Sequence, residues 1–280
     1  SLLAVEAAAR LARELGRPVP LSVLFENPSP EALSHALEEG GPRLRPILVP
    51  LSPGGDGPPT FLVHPVGGNV VCYHELARRL PGPVYGIQAP SPEEGRFETL
   101  EEQAALYVEA VGSVAPAGSC RVGGWSLGGV VAFEMARQLA AAGRPVYLAL
   151  LDSRPPDDLG EADAATVRHA FTEDLAGITA LGDSAQGDAL PDDELSFLYA
   201  LFRANWNAAA GYRPCRFPGS LLLIATPDSQ RPGDGAGRGW EALADSVQVV
   251  ESAADHYSLL RPPHVDDVAV RLAGHWGKDG

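Results

Sequence analysis

A chain of 280 residues, 45% hydrophobic and 20% charged, has the composition of an ordinary globular protein and the length of one large domain or two small ones. Its formal net charge of −15 argues against nucleic acid as a partner, because phosphate contacts need clustered Lys and Arg. No apolar run reaches the roughly 18 residues of a membrane-spanning helix, so no membrane partner is expected.

The three cysteines, Cys72, Cys120 and Cys215, are widely spaced and show no CxxC pairing. That predicts reduced thiols in a cytoplasmic protein and no metal site. The N-terminus has no basic region and no cleavage site, so no secretion signal is read there.

In chain order, "SLLAVEAAARLARELG" places Ser1 as a helix N-cap and Leu2, Val5, Ala8, Leu11 and Leu15 at helical spacing. "NPSPEALSHALEEGG" starts a second helix with Ser29 as cap and Pro30 at the first helical position. Residues 1–40 are too short for a good core of their own. Residues 41–58 read as a linker, with "PILVPLS" a possible edge strand, where prolines are tolerated.

Residues 59–280 change character. "TFLVHP", "VYGIQAP", "CRVGGWS", "VYLALLD", "SLLLIAT" and "VQVVES" are short apolar runs, several separated by helical stretches. Near-continuous apolar strands alternating with helices predict a mostly parallel sheet covered on both faces. Between about Arg154 and Phe217 the alternation stops for some sixty residues of helix and loop. An insertion that long in a compact domain reads as a lid or binding element.

"CRVGGWSLGGVVAFEM" holds Gly124-Trp125-Ser126-Leu127-Gly128. A bare GxSxG is weak, but here a strand runs into Ser126 and a helix leaves it, the context a nucleophile elbow requires. A serine nucleophile needs a base. His256, after the last strand and before the final helix, fits the chain order Ser…Asp…His. His264 lies at the helix start, His35, His169 and His275 read as helix residues, and His74 is expected to face a packed interior.

Two carboxylates compete to orient that base: Asp152, ending the strand next to the nucleophile's, and Asp228, ending the following one. Asp152 is favoured because its strand adjoins that of Ser126. The oxyanion of an acyl transfer needs two N–H donors, assigned to Leu127 and to Val66 in "HPVGG". Phosphate binding by that Gly-rich turn is discounted, since it matches neither GxGxxG nor GxxxxGK[ST]. Cys72 nearby reads as a core thiol. In "FLYALFRANWNAAAGYRP", Phe197, Phe202 and Trp206 suit either a hydrophobic acyl cavity or packing of the insertion on the sheet.

"FLVHPVGGNVVCYHELAR", "GGWSLGGVVAFEMARQL", "LLDSRPP" and "DHYSLLRPPHV", in this order, resemble the terminal thioesterase domains of nonribosomal peptide synthetases. The resemblance implies an α/β-hydrolase with a helical lid at about 154–217 and an acid in "LLDSRPP", namely Asp152. Trp125 before the serine resembles the terminal type; stand-alone editing thioesterases usually carry histidine there and an acid where Asp228 sits.

Residues 1–40 resemble the second half of a peptidyl carrier domain, a partial all-α fragment, with Ser1 at the 4'-phosphopantetheine attachment position. The resemblance therefore implies release of a carrier-tethered peptide through an ester on Ser126, by hydrolysis or macrocyclisation, with upstream synthetase modules as partners. A stand-alone editing thioesterase or a serine esterase is the alternative, and a non-catalytic scaffold would lack a triad member.

Overall fold

The computed structural model describes residues 30–39, 46–53, 57–91, 97–156, 163–180, 192–231 and 233–277, with isolated positions between and before them. Ser1 and the helix expected after it lie outside the described residues, apart from scattered positions. Within residues 1–40 the described element is helix α1 (Pro30–Glu39).

The described strands form one seven-stranded sheet in the order β1-β3-β2-β4-β5-β6-β7. They are β1 (Leu48–Ser52), β2 (Thr60–Val63), β3 (Val84–Ile87), β4 (Cys120–Trp125), β5 (Val146–Leu151), β6 (Phe217–Ala225) and β7 (Ala244–Glu251). β1 pairs antiparallel with β3 at one edge, and every other neighbouring pair is parallel. A parallel sheet needs cover on both faces, and its strands are correspondingly apolar at successive positions.

The period of two in each strand divides those positions between two cores. Phe61, Val63, Leu148, Leu150, Leu221 and Leu223 face one layer, built with helices α3 (Leu100–Val114) and α4 (Leu127–Ala141). Leu62, Ala149, Leu151, Leu222 and Ile224 face the other, built with α2 (His74–Ala77) and the last helix, α7 (His264–Trp276). Each fully buried Leu or Val contributes about 1.5–3 kcal/mol, so the two layers dominate the stability of the fold.

Local signals set the helix ends. Thr99 accepts from the Glu102 N–H at 3.2 Å while the Glu102 carboxylate accepts from the Thr99 N–H at 3.2 Å, a reciprocal box that opens α3. Two helices, α5 (Ala164–Ala180) and α6 (Asp192–Ala210), stand between β5 and β6 where the alternation stops. The insertion is clamped at its start by Arg154, which donates to both oxygens of Asp234 at 2.5 and 2.9 Å.

One histidine departs from expectation. His74 is exposed, because it opens a four-residue helix whose buried face is carried by Leu76 and Ala77. The interior histidine is His64, at the end of β2 and fully buried.

Candidate active site

The site stands at the carboxyl ends of β2, β4, β5, β6 and β7. Ser126 joins β4 to α4 with φ 57° and ψ −128°, a conformation that L-residues adopt at a cost of about 1–3 kcal/mol. Glycines make the turn possible. A Cβ on Gly124 would lie 2.1 Å from the Gly128 carbonyl oxygen, and one on Gly128 would lie 2.4 Å from that of Val63. The first turn of α4 therefore rests directly against the end of β2, which brings Leu127 beside the loop that carries Val66. Tyr73, fully buried, ties the two strand ends together: its hydroxyl donates to the Val63 carbonyl at 2.5 Å and accepts from the Trp125 N–H at 2.7 Å.

His256 lies on the loop after β7. Its Nδ1 donates to Asp152 Oδ2 at 2.6 Å, and its ring is 4.9 Å from that of Trp125, the residue before Ser126. Its other ring neighbour is Tyr257, at 5.1 Å.

Asp152 ends β5 with φ 46° and a fully buried carboxylate. The second oxygen, Oδ1, accepts from the Thr226 N–H at 2.9 Å and the Ser229 hydroxyl at 2.6 Å. Burial pushes the carboxyl up, but the His256 and Ser229 hydrogen bonds, the imidazole's charge and the Thr226 N–H outweigh it. The net effect holds Asp152 below the ordinary aspartate value, so it is ionised at neutral pH.

Asp228 is arranged differently. Its Oδ2 accepts from the backbone N–H of His256 at 3.1 Å and its Oδ1 from the Thr226 hydroxyl at 2.5 Å. It holds the loop that carries the imidazole, while the imidazole itself turns to Asp152.

Sequence reasoning missed the residues behind Asp152. Arg238 is 2% exposed, has φ 54°, and lies 3.7 Å from Asp152 Oδ1. It donates to the Thr226 carbonyl at 2.7 Å and to the Ser229 hydroxyl, and pairs with Glu251 at 3.2 Å. The available signal was an arginine between two glycines, Gly237 and Gly239, just before the buried Trp240. Among the described residues, Ser126, Asp152 and Arg238 are the non-glycine residues with positive φ. Backbone strain is concentrated at this one place, as it is where geometry serves chemistry.

Other candidates resolve more plainly. Burial pushes the Cys72 thiol up, which disfavours the reactive thiolate. Phe202 and Trp206 stack at 5.8 Å and pack with Phe171 and Val167 into a cluster of the insertion, so these aromatics hold its helices together.

Fold and insertion together place the protein in the α/β-hydrolase class. The family model described as thioesterase domain matches residues 58–275, and that described as phosphopantetheine attachment site matches residues 1–37. The chain thus belongs to the thioesterase domain family, with a phosphopantetheine-attachment segment in front.

A dimodular nonribosomal peptide synthase of Bacillus subtilis (strain 168) is 36% identical over 309 residues, 98% of this chain and 13% of that protein. The crystal structure of a four-domain nonribosomal peptide synthetase bound to AMP and glycine superposes with a TM-score of 0.75 at 26% identity, over 98% of this chain and 24% of that one. The NocB thioesterase domain, in covalent complex with a fluorophosphonate nocardicin G analogue, gives a TM-score of 0.66 at 33% identity, over 82% of this chain and 99% of that one. The chain thus spans a small part of the synthetases it matches and nearly the whole of the isolated thioesterase domain. No described helix is long and apolar enough to cross a membrane.

Proposed function

We propose that residues 59–280 are a chain-releasing serine thioesterase, with a lid at about 154–217, and that residues 1–40 are part of the peptidyl carrier domain that feeds it across a linker at 41–58. The substrate is a peptide held as a thioester on 4'-phosphopantetheine. Attachment of that group to Ser1 is carried over from the family pattern, since Ser1 lies outside the described residues. The observation that carries the reading is the 2.6 Å hydrogen bond from His256 Nδ1 to the buried Asp152, on a ring that lies tilted against that of Trp125, the residue preceding the strained Ser126.

In this reading Asp152 fixes the tautomer that leaves Nε2 of His256 as the base. That nitrogen takes the Ser126 hydroxyl proton as the oxygen attacks the thioester carbonyl. The N–H groups of Val66 and Leu127 hold the resulting oxyanion. Collapse breaks the C–S bond, and His256 returns the proton to the departing thiol; thiols ionise far more readily than amines or alcohols, with about 8.5 for a free cysteine, which makes the thiol a good leaving group. The acyl group is then an ester on Ser126. Water releases it as an acid, and an amine or hydroxyl of the peptide itself releases it as a ring. The lid sets that partition by controlling the access of water.

Intact-protein mass spectrometry after mixing with a panel of peptidyl thioesters tests the reading. The wild-type chain gains the acyl mass, and Ser126→Ala gains none and loses turnover by a factor of at least about 10³. Retained turnover in Ser126→Ala refutes the serine mechanism. The released products from the same panel separate hydrolysis from cyclisation.

A further inference from the structure

Four buried polar side chains beside the site have no part in the proton transfers described above. His64, Gln103, Tyr107 and Asn205 are each at most 1% exposed, and they come from the end of β2, from α3 and from lid helix α6. Their hydrogen bonds run in a circuit. His64 Nδ1 donates to the Pro65 carbonyl at 2.7 Å, which leaves Nε2 to accept from the Tyr107 hydroxyl at 2.7 Å. The Tyr107 oxygen accepts from Gln103 Nε2 at 3.1 Å, and the same amide donates to Asn205 Oδ1 at 2.9 Å. Asn205 Nδ2 closes the circuit on the Val66 carbonyl at 2.9 Å.

The circuit begins and ends on adjacent peptide groups, one on each side of Val66. In a trans peptide the C=O and N–H point in opposite directions. His64 and the Gly68 N–H, which also reaches the Pro65 oxygen at 2.9 Å, therefore aim the Val66 N–H away from themselves. Asn205 fixes the next peptide and leaves Val66 no freedom to rotate.

The lid seats on the same loop. A Cβ on Gly68, where φ is +75°, would lie 2.6 Å from Cδ2 of Leu201 on α6. The Val66 side chain packs against both the main core and the lid cluster of Val167, Phe171 and Phe202.

We propose that Asn205 and His64 are positioning residues for the oxyanion site, and that lid helix α6 couples its own seating to acyl transfer by holding the Val66 carbonyl through Asn205. The inference rests on the reading of the Val66 N–H as an oxyanion donor. A lid that lifts takes the Asn205 amide from the part-buried Val66 carbonyl and frees that peptide to turn, so the aimed peptide and the closed lid belong to one state.

The test is single-turnover acylation of the full chain by a peptidyl N-acetylcysteamine thioester. Asn205→Leu removes the donor, and the acylation rate falls at least about tenfold with KM within about threefold. Asn205→Asp keeps the shape. Its buried carboxyl accepts from Gln103 and, once protonated, donates to the Val66 carbonyl as the amide does. The other titratable groups on the circuit are His64 and Tyr107, both also present in the wild type. The rate of Asn205→Asp relative to wild type therefore recovers as pH falls from about 8 to about 5.5 while KM stays within about threefold, whereas a merely structural loss of the lid moves both.

A normal rate in Asn205→Leu, a loss confined to KM, or an Asn205→Asp deficit equal at every pH overturns the proposal. If Asn205→Leu does not fold, the pH ratio of Asn205→Asp decides alone. Exchanging Val66 for α-hydroxyvaline, which replaces the N–H by an ester oxygen, separates this idea from its basis. A full rate there refutes the oxyanion assignment itself, whereas a slow rate there with normal Asn205 variants refutes only the coupling.

Discussion

Two buried carboxylates show how the acid proposed to orient His256 differs from a structural one. Glu134, in the middle of α4, is 1% exposed and saturated by fixed donors: Arg137 at 2.8 and 3.1 Å, Gln138 at 2.9 Å and the Tyr212 hydroxyl at 2.7 Å. Asp152 is buried as deeply, but only Oδ1 is saturated; Oδ2 is reserved for one imidazole that is itself 24% exposed. Glu134 sits in regular helix, whereas Asp152 sits at φ 46°. Burial and an arginine nearby are common to both. What differs is a partner that can carry a proton to and from solvent, held by a strained backbone.

Exchange of Asp152 should break that contrast most severely. Asp152→Asn presents an amide to His256, removes the support for its cation and lowers kcat by about 10³–10⁴ in a thioester turnover assay. Asp228→Asn, which disturbs the contacts to the His256 backbone and the Thr226 hydroxyl but leaves the imidazole its Asp152 partner, should cost less than about tenfold. The reverse order would transfer the role of acid to Asp228.

Arg238→Met comes next. Removing the guanidinium frees Ser229 and Thr226 behind Asp152, and kcat should fall about 10- to 100-fold with little change in KM. Glu134→Gln, by contrast, should leave kcat within about twofold and lower the unfolding free energy by about 1–3 kcal/mol in urea titration.

The Asp152 carboxyl also gives the contrast a pH dependence. Its folded-state pKa lies below the ordinary value, so the unfolded chain binds this proton more tightly. The stability it contributes is full above the unfolded value of about 4 and is lost as pH falls through the lower folded value. The gap in urea midpoint between wild type and Asp152→Asn should accordingly narrow below about pH 4.

Much of this was legible in the sequence, for reasons that differ from element to element. The parallel strands stand out because burial on both faces makes "YLALL" and "LLLIA" continuously apolar. Ser126 stands out because glycines bracket it between a strand and a helix. Strand adjacency favours Asp152 over Asp228, but both follow neighbouring strands, and the side-chain direction that turns His256 to Asp152 has no signature in spacing. His64 and His74 were likewise indistinguishable as letters, and the interior position was assigned to the wrong one. Arg238, Ser229, Gln103 and Asn205 are invisible in the sequence because the contacts that bring them to the site, Arg238 to Ser229, Gln103 to Asn205 and Asn205 to Val66, cross 9, 102 and 139 positions that no local pattern links.

The smallest effect expected is at the far end of the lid helix. Tyr212 is 2% exposed, and its hydroxyl donates to Glu134. Burial pushes the phenol up, as do the charge of Glu134 and the hydrogen bond to it, so it remains a donor throughout the neutral range. Tyr212→Phe leaves Glu134 its arginine and amide partners, and should lower the urea midpoint by the equivalent of about 1 kcal/mol, equally at every pH between about 6 and 9. Acylation in this variant also tests the proposed hold of α6 on the Val66 loop. If Asn205 and Leu201 carry that hold, the rate stays normal although the helix has lost an anchor some two turns away. A slowed rate would instead make the Glu134–Tyr212 contact part of the same coupled unit, and the distinction between the two carboxylates would narrow.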